Sequence, residues 1–252
     1  MSVNIWTQCA ASFEKRSLRA TGFRIVEDQS RNSTRKLVDS DAEQALLETL
    51  IDRVKPPVPP EIAARHLHYL YFTPFRHPPL PWGSRFGTVH QRGIFYGSLE
   101  LPTVLAEVAY YRMVFLEGSD ARLDWLTTVH SAFRFEIRAQ SSANLTEAPF
   151  DRFEKEISSK VSYTASHLLG QEMRGAGIEA FLFSSARARS RGTNIGLLEP
   201  VFADRAPSGV QGFACHATKA LVEFKKSSHF ASPVFSFPRA DFLVNGQLPL
   251  AR

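Results

Sequence analysis

Residues 81–112 read PWGSRFGTVHQRGIFYGSLELPTVLAEVAYYR, a glycine-rich loop followed by two regular patterns. The segment GIFYGS (93–98) is typical of a buried strand, because it is short, aromatic and bounded by glycines. Pro102 lies where the first turn of a helix tolerates proline, so TVLAEVAYYRMVFL is predicted to be helical. The stretch therefore predicts a strand followed at once by a helix.

Three polar side chains interrupt this pattern: Arg85 between glycines, Tyr96 at the end of the strand, and Glu107 in the apolar helix. Arg85 has an alternative interpretation as a surface ion pair, and Tyr96 as a core residue. Glu107 is harder to explain structurally, because a carboxylate buried without a partner is costly. The residues one helical turn from it are Thr103, Val104, Tyr110 and Tyr111. Together the three side chains predict a functional site.

Composition limits the class of protein. The net charge of +5 favours a polyanionic partner, either nucleic acid or a phosphate-bearing ligand. RARSR (187–191) is the densest basic cluster and gives weak support to nucleic-acid binding. Cys9 and Cys215 are too few for a disulfide framework or a four-cysteine zinc site, so we expect no metal. His66 and His68, two apart on an apparent strand, are interpreted as surface or packing histidines.

Targeting and common catalytic motifs are missing from the sequence. No apolar run is long enough to span a membrane, and the first residues do not resemble a secretory signal, so we expect a cytoplasmic protein. The sequence contains no GxxxxGK[ST] phosphate loop, no strand-linked GxGxxG, no HEXXH and no GxSxG. Arginines are therefore the expected phosphate ligands.

The chain is predicted to divide near residue 60. Its first 35 or so residues are interpreted as exposed or loosely docked, and DAEQALLETLIDRV (41–54) predicts a helix capped by Ser40 or Asp41. PPVPP then forms a stiff linker. We expect residues 1–60 to be an N-terminal helical appendage with this proline-rich linker, and residues 61–252 to be the main domain with a C-terminal extension.

Strands and helices mix in the main domain without strict alternation, so the predicted class is α+β. A long amphipathic helix is expected over 151–174, and the last thirty residues are expected to be short apolar pieces packed on the outside. The predicted strands are HLHYLYFTPF (66–75), GIFYGS (93–98), FRFEIR (133–138), IEAFLF (178–183), GLLEPVF (196–202) and GFACHA (212–217).

Four short motifs in this order resemble the RES-domain toxins, a family named for its arginine, glutamate and serine. They are GSRFG with Arg85, GIFYG with Tyr96, LAEVAYYR with Glu107, and LFSSARARSRGTN with Ser185 and Asn194. The resemblance covers roughly residues 65–205. It implies an ADP-ribosyltransferase/diphtheria-toxin-like fold, with a split mixed β-sheet, flanking helices and a cleft for NAD.

The resemblance also implies a function. Members are toxins of type II toxin–antitoxin pairs that destroy NAD, as substrate, by hydrolysis or phosphorolysis of the nicotinamide–ribose bond, and some relatives transfer ADP-ribose to a protein. The expected partner is an Xre-type antitoxin in a hetero-oligomer, with no direct nucleic-acid contact and no membrane. Protein-modifying transferases often carry a second acidic residue two positions before the catalytic glutamate, where this chain has Leu105.

The chemistry of this bond suits the motif residues. Glu107 would stabilise the positive charge that develops on the ribose, and Arg85 would bind the diphosphate. Tyr96 would contact the nicotinamide through its ring or the ribose through its hydroxyl. Ser185 would orient the nucleotide or the attacking water. The expected catalytic residues are thus Arg85, Glu107 and Ser185.

Two further residues complete the predicted NAD-binding set, which is Arg76, Arg85, Tyr96, Ser185 and Asn194. Arg76 corresponds to an early family arginine, although a plain loop arginine is an equal alternative. Many relatives have Gly-Arg-Trp-Asn where this chain has SRFG (84–87), and proline often precedes the motif serine where this chain has Ser184. The choice between Ser184 and Ser185 therefore stays open.

Overall fold

A computed structural model describes residues 4–28, 38–77, 79, 81–121, 123–227 and 232–250. The strands are β1 (Arg16–Glu27), β2 (Phe95–Ser98), β3 (Trp125–Asn144), β4 (Ala180–Ser184), β5 (Thr193–Leu197), β6 (Ser208–Thr218), β7 (Leu221–Lys226) and β8 (Val234–Pro238). The α-helices are α1 (Ile5–Cys9), α2 (Asp41–Val54), α3 (Pro60–Ala63), α4 (Tyr69–Arg76), α5 (Leu101–Gly118), α6 (Glu154–Ile157) and α7 (Thr164–Gly175).

The strands form one mixed sheet in the order β1-β2-β5-β4-β3-β6-β7-β8. β1 also pairs with β3, so the first five strands of this order close into a ring. The long strand β3 pairs antiparallel with β1 and β6 and parallel with β4. The α+β class, the mixed sheet and the flanking helices are therefore confirmed.

Three apolar clusters form the core. One joins α3 and α4 to the ring strands, and Phe135 of β3 belongs to it. A Cβ at Gly22 would lie 2.5 Å from the Phe135 ring, and one at Gly97 would lie 2.6 Å away, so this ring packs directly on two backbones. The second cluster joins α5 to β6 and β7, and the third joins α1 and α7 to β4.

The N-terminal region differs from the expectation of loosely docked chain. Residues 16–27 form β1, and their pairing with β3 places them inside the main sheet. GFRIV (22–26) has the apolar and β-branched residues that a half-buried strand favours, and β3 supplies its hydrogen-bonding partner. The predicted helix over 41–54 is confirmed as α2. Ser40 caps it: its Oγ accepts from the Glu43 amide, while the Glu43 carboxylate accepts from the Ser40 amide.

The strand predicted for HLHYLYFTPF is wrong, because residues 69–76 form α4. Tyr71 and Phe75 are four residues apart and both buried, so a helix places them on one face against the core. His68, interpreted as a surface or packing residue, is the N-cap of α4 and accepts a hydrogen bond from the Leu70 amide through Nδ1. A short aromatic run fits both the two-residue period of a strand and the 3.6-residue period of a helix, and here the chain is helical.

The single helix predicted over 151–174 is also wrong. A 3₁₀ turn at Asp151–Phe153 and the short α6 end at Ile157, and α7 begins only at Thr164. Serine side chains hold the break, since Ser158 Oγ donates to the Ser184 carbonyl and Ser159 Oγ accepts from the Ser162 amide. The break leaves the Ser159 carbonyl free to accept a hydrogen bond from elsewhere.

The remaining predicted strands correspond to β2, β3, β4 and β6, while GLLEPVF is shifted, since β5 spans Thr193–Leu197. The last thirty residues do more than pack on the outside. Val234–Pro238 pairs with β7 and forms the edge of the sheet. In the part of the chain that the structure describes, no helix has both the length and the apolar character needed to cross a bilayer.

Candidate active site

A cavity of about 210 Å³ lies between α5, the end of β2 and the loop before α7. Its apolar wall includes Ile25, Val104, Val108 and Phe183. Its polar side chains are Arg24, Ser84, Arg85, Tyr96, Ser98, Glu107, Tyr111, Tyr163 and Asn194. Four of the predicted site residues therefore line one cavity: Arg85, Tyr96, Glu107 and Asn194.

Glu107 is held by two side chains from distant parts of the chain. Its Oε1 accepts a hydrogen bond of 2.6 Å from Ser185 Oγ and one of 2.7 Å from Asn194 Nδ2. Hydrogen bonds to a carboxylate are stronger than neutral ones and fix its orientation. Within the described residues, Oε2 of Glu107 accepts no hydrogen bond, so this oxygen is available to a ligand.

Ser185 is buried at the end of β4, where its hydroxyl has three partners. Its Oγ accepts from the Arg187 amide at 3.1 Å and the Ala188 amide at 2.9 Å. With both acceptor directions occupied, the hydroxyl hydrogen is directed to Glu107. Ser184, the alternative, instead offers its carbonyl to Ser158 Oγ. The contact with Glu107 thus belongs to Ser185.

Asn194 is oriented by its cross-strand neighbour. Ser98 of β2 is directly opposite Asn194 of β5, and its buried Oγ donates to Asn194 Oδ1 at 2.6 Å. This bond assigns the amide oxygen to Ser98 and leaves the amide nitrogen for Glu107. A line of hydrogen bonds therefore runs from Ser98 through Asn194 to Glu107.

Tyr96 positions the turn that carries Arg85. Its hydroxyl accepts from the Phe86 amide at 3.1 Å and lies 3.0 Å from Ser84 Oγ. Burial raises the pKa of Tyr96 to about 12, so the hydroxyl stays protonated at neutral pH. The hydroxyl predicted to contact the ribose is thus already occupied by the protein, while the side chain still lines the cavity.

Arg85 is nearly buried but is not neutralised by an acid. Its Nη1 donates to the Ser159 carbonyl at 2.7 Å, and its guanidinium lies 4.8 Å from the centre of the Tyr163 ring. Among the described residues, no carboxylate forms a salt bridge with Arg85. The full positive charge therefore faces a cavity that also contains Glu107.

Arg24 is a cavity residue that the sequence interpretation missed. It lies on β1, donates to the Tyr96 carbonyl through Nη1, and its guanidinium lies 4.6 Å from the centre of the Phe95 ring. Its Nε is buried without a partner, and burial lowers the pKa of Arg24 to about 10. It remains charged at neutral pH. The strand-like pattern of GFRIV was the signal that could have placed Arg24 on a strand of the main sheet.

Two tyrosines that received no role from the sequence complete the cavity. Tyr111 lies one helical turn after Glu107, and its hydroxyl is 3.4 Å from that of Tyr163. Tyr111 is 52% exposed as a whole residue, but desolvation of its hydroxyl and the proximity of Tyr163 raise its pKa. Tyr110, the other aromatic neighbour in the sequence, packs on Phe242 instead. The aromatic groups near Arg85 and Glu107 are therefore Tyr96, Tyr111 and Tyr163.

The structure does not bring Arg76 to this cavity. Arg76 ends α4, and its Nε donates to the carbonyl of Pro56 in the proline-rich linker. The basic cluster RARSR is not a continuous exposed patch either, because Arg187 is buried and Arg191 is paired with Glu154. Across the described ranges, no group of three or more His, Cys, Asp or Glu side chains is placed to hold a metal ion.

Comparisons with known proteins give a likeness to a solved structure and a family. The M. tuberculosis MbcT–MbcA toxin–antitoxin complex contains a chain similar to this one, with a TM-score of 0.46 and 10% identity, over 78% of this chain and 83% of that one. No significant match was found among curated proteins. The family model described as RES domain matches residues 59–217, which include Arg85, Glu107 and Ser185. The chain therefore belongs to the RES domain family.

Proposed function

We propose that this protein is the toxin of a toxin–antitoxin pair and consumes NAD by cleaving its nicotinamide–ribose bond. The observation that carries the proposal is the fixed carboxylate of Glu107, which shares a cavity with two arginines that have no acidic partner among the described residues. Such a cavity suits a ligand that has a phosphate group and develops positive charge beside it.

Glu107 stabilises the reacting sugar electrostatically. When the C–N bond breaks, its electron pair leaves with nicotinamide as a neutral molecule, and the ribose becomes an oxocarbenium-like cation. A carboxylate fixed beside that cation stabilises it without further reorganisation. A water that attacks the ribose carbon loses one proton, and the products are nicotinamide, ADP-ribose and H⁺. With phosphate as the acceptor, the product is the ribose 1-phosphate ester.

Ser185 and Asn194 act on the carboxylate rather than on the substrate. Both donate to the same oxygen of Glu107, which leaves the other oxygen for a ribose hydroxyl or for the cation. Ser185 is therefore a positioning residue in this proposal. Because its oxygen already accepts hydrogen bonds from the amides of Arg187 and Ala188, both lone pairs are occupied and it does not attack the substrate.

The two arginines bind the diphosphate. Arginine matches two phosphate oxygens at once and stays charged, and Arg24 fills the role that the family resemblance suggested for Arg76. A cavity of about 210 Å³ is smaller than typical ligand sites, so it accommodates the nicotinamide riboside end while the adenosine lies outside. Tyr111 and Tyr163 provide aromatic surface for the nicotinamide ring.

The alternative activities receive less support. Leu105, two residues before Glu107, is completely buried, so that position presents no group to a protein acceptor. The divided basic cluster does not favour nucleic-acid binding.

An Xre-type antitoxin as partner, hetero-oligomer formation and a cytoplasmic location belong to the same proposal and rest on the family. The boundary near residue 60 also stays a prediction; the family match begins at residue 59, whereas β1 lies in the main sheet.

The test is to incubate the purified protein with NAD, with and without inorganic phosphate, and to identify the products by mass. Free nicotinamide with ADP-ribose indicates water as the acceptor. Free nicotinamide with a product heavier than ADP-ribose by one phosphate group indicates phosphorolysis. Nicotinamide release that requires added cell extract would instead favour transfer to a protein. Intact NAD under all conditions would contradict the proposed activity.

A further inference from the structure

Arg187 is a buried charged residue to which the proposed reaction gives no role. It lies in the turn between β4 and β5, two residues after Ser185, and is only 2% exposed. Among the described residues, its terminal nitrogens Nη1 and Nη2 have no hydrogen-bond partner, and its guanidinium forms no salt bridge. A buried guanidinium without acceptors is costly, so the contact that does stabilise this side chain is important.

That contact is the ring of Tyr110 on α5. The centre of the ring lies 3.5 Å from the guanidinium carbon of Arg187, which is a close cation–π contact. Such contacts are strongest where water is excluded, and both residues are only 2% exposed. The aromatic face of Tyr110 is therefore what holds the Arg187 side chain.

The backbone of the same turn supports the candidate active site. The Arg187 amide donates to Ser185 Oγ at 3.1 Å, and the Ala188 amide donates to the same oxygen at 2.9 Å. The Ser185 hydroxyl in turn donates to Glu107. A movement of the turn at residues 187–188 would therefore move the hydroxyl that orients the carboxylate.

The turn and α5 are joined at two points. Glu107 and Tyr110 lie one helical turn apart on α5. Their partners, Ser185 and Arg187, lie two residues apart in the chain. A single contact would let the turn rotate about it, whereas two contacts fix both the position and the direction of the turn on the helix.

Tyr110 is itself held by the C-terminal segment. Its hydroxyl donates to the Pro249 carbonyl, and its ring centre lies 6.0 Å from that of Phe242. Both partners lie beyond residue 217, where the match to the RES domain ends. The segment that follows the matched region therefore supports the ring on which Arg187 is stacked.

We propose that Arg187 is a positioning residue, whose stack on Tyr110 holds Ser185 where it orients Glu107. Arg187 does not line the cavity of Glu107, so it acts through Ser185 and not on the substrate. The effect on catalysis rests on the proposed function. The fixing of the turn by the stack does not, and it can be measured without NAD.

The kinetic experiment compares Arg187→Met with Arg189→Met in nicotinamide release from NAD. Methionine keeps much of the length of the side chain and loses the charge. We expect Arg187→Met to lower kcat about tenfold with KM nearly unchanged, because the stack orients Glu107 and does not bind NAD. Arg189 is the matched control, since it is an exposed arginine of the same turn. Tyr110→Phe, which keeps the ring, is expected to lose less kcat than Tyr110→Leu.

Two further measurements separate positioning from a general loss of stability. In the Ser185→Ala background, Arg187→Met is expected to lower kcat little further, because both changes remove the same support. In the absence of NAD, solvent exchange of the Ala188 amide is followed by NMR. We expect this exchange to be about tenfold faster in Arg187→Met, as in Ser185→Ala, while the amides of β7 keep their rates.

Should Arg187→Met fail to fold, Arg187→Lys replaces it in both measurements with a smaller expected change, because lysine keeps the charge and loses the planar stack. The proposal is overturned if the Arg187 variants retain the wild-type kcat, or if their loss is undiminished in the Ser185→Ala background. It is also overturned if the Ala188 amide exchanges at the wild-type rate. A wild-type protein that leaves NAD intact would contradict the proposed function instead, and the exchange rates alone would then decide on this inference.

Discussion

The hydroxyl of Ser185 donates a hydrogen bond of 2.6 Å to Oε1 of Glu107, although 78 residues separate the two in the chain. The contact joins the end of β4 to the middle of α5, and the amides of Arg187 and Ala188 fix the direction of the hydroxyl. The serine is thus a buried support for the carboxylate and does not itself line the cavity. Its predicted importance follows from this support rather than from nucleophilic attack.

Replacing Ser185 by alanine is expected to lower kcat for nicotinamide release about ten- to a hundredfold, with a smaller change in KM for NAD. The reason is that a hydrogen bond to a charged group, worth about 1.5–3 kcal/mol, no longer orients Glu107. Ser184→Ala is the matched control, because Ser184 is the adjacent serine but contacts Ser158 through its carbonyl and Glu154 through its side chain, and not Glu107. Equal losses in the two variants would contradict the assignment to Ser185.

The pair of Ser98 and Asn194 gives a second test. Ser98→Ala removes the bond of 2.6 Å that sets the direction of the Asn194 amide, so the amide can turn its oxygen toward Glu107. We expect about a tenfold lower kcat, as for the loss of one neutral hydrogen bond, with a melting temperature close to that of the wild type. The control is Ser190→Ala on the exposed turn. Unchanged kcat with Ser98→Ala would show that Asn194 is oriented by other means.

The two candidate arginines can be compared directly. Arg24→Met is expected to raise KM for NAD about tenfold or more, because a cation that lines the cavity is lost. Arg76→Met should leave KM nearly unchanged, since Arg76 lies outside the cavity and donates to Pro56. Arg19→Met, an exposed change on the same strand as Arg24, controls for the loss of net charge. A larger effect at Arg76 than at Arg24 would return the phosphate contact to Arg76.

His130 should make stability depend on pH. Burial, and then the charge of Arg112, lowers the pKa of His130 from 6.5 to about 4. The fold therefore favours the neutral ring, whose Nε2 lies 3.1 Å from an Arg112 nitrogen. The contribution of neutral His130 to the free energy of unfolding is fully present above pH 6.5 and is lost as the pH falls toward 4. Its size is of the order of a few kcal/mol.

Thermal unfolding of the wild type and His130→Gln between pH 7 and 4 measures this contribution. The variant is expected to lose less stability than the wild type over that range, because glutamine does not titrate. His216→Gln, a change at an exposed histidine of β6, should retain the wild-type profile. Parallel profiles for the wild type and His130→Gln would show that His130 does not contribute.

The sequence predicted much of the local structure around the site. GIFYGS and the helix after Pro102 form β2 and α5, and Glu107 and Arg85 line one cavity. The predictions of β2 and α5 succeeded because burial patterns of short strands and a proline at a helix start are local signals. Ser185 and Asn194, which contact Glu107, were identified as site residues by the resemblance of four motifs to the family and not by hydrophobic periodicity.

The rest depended on contacts that no local pattern specifies. Arg24 reaches the cavity only because β1 pairs with β3, which follows it by about a hundred residues. The helix over 69–76 and the break after Ile157 were missed because aromatic runs fit both periodicities and serine turns compete with helices. Arg76 was chosen by its position in the sequence, whereas the fold directs it to Pro56.

The central claim, that a fixed negative charge drives nicotinamide release, is tested most directly by the rate of the Glu107→Gln variant at saturating NAD. Glutamine keeps the shape and the contact with Ser185 but removes the charge, so we predict a kcat at least about a hundredfold lower and NAD binding close to that of the wild type. A Glu107→Gln enzyme that releases nicotinamide at nearly the wild-type rate would contradict the account.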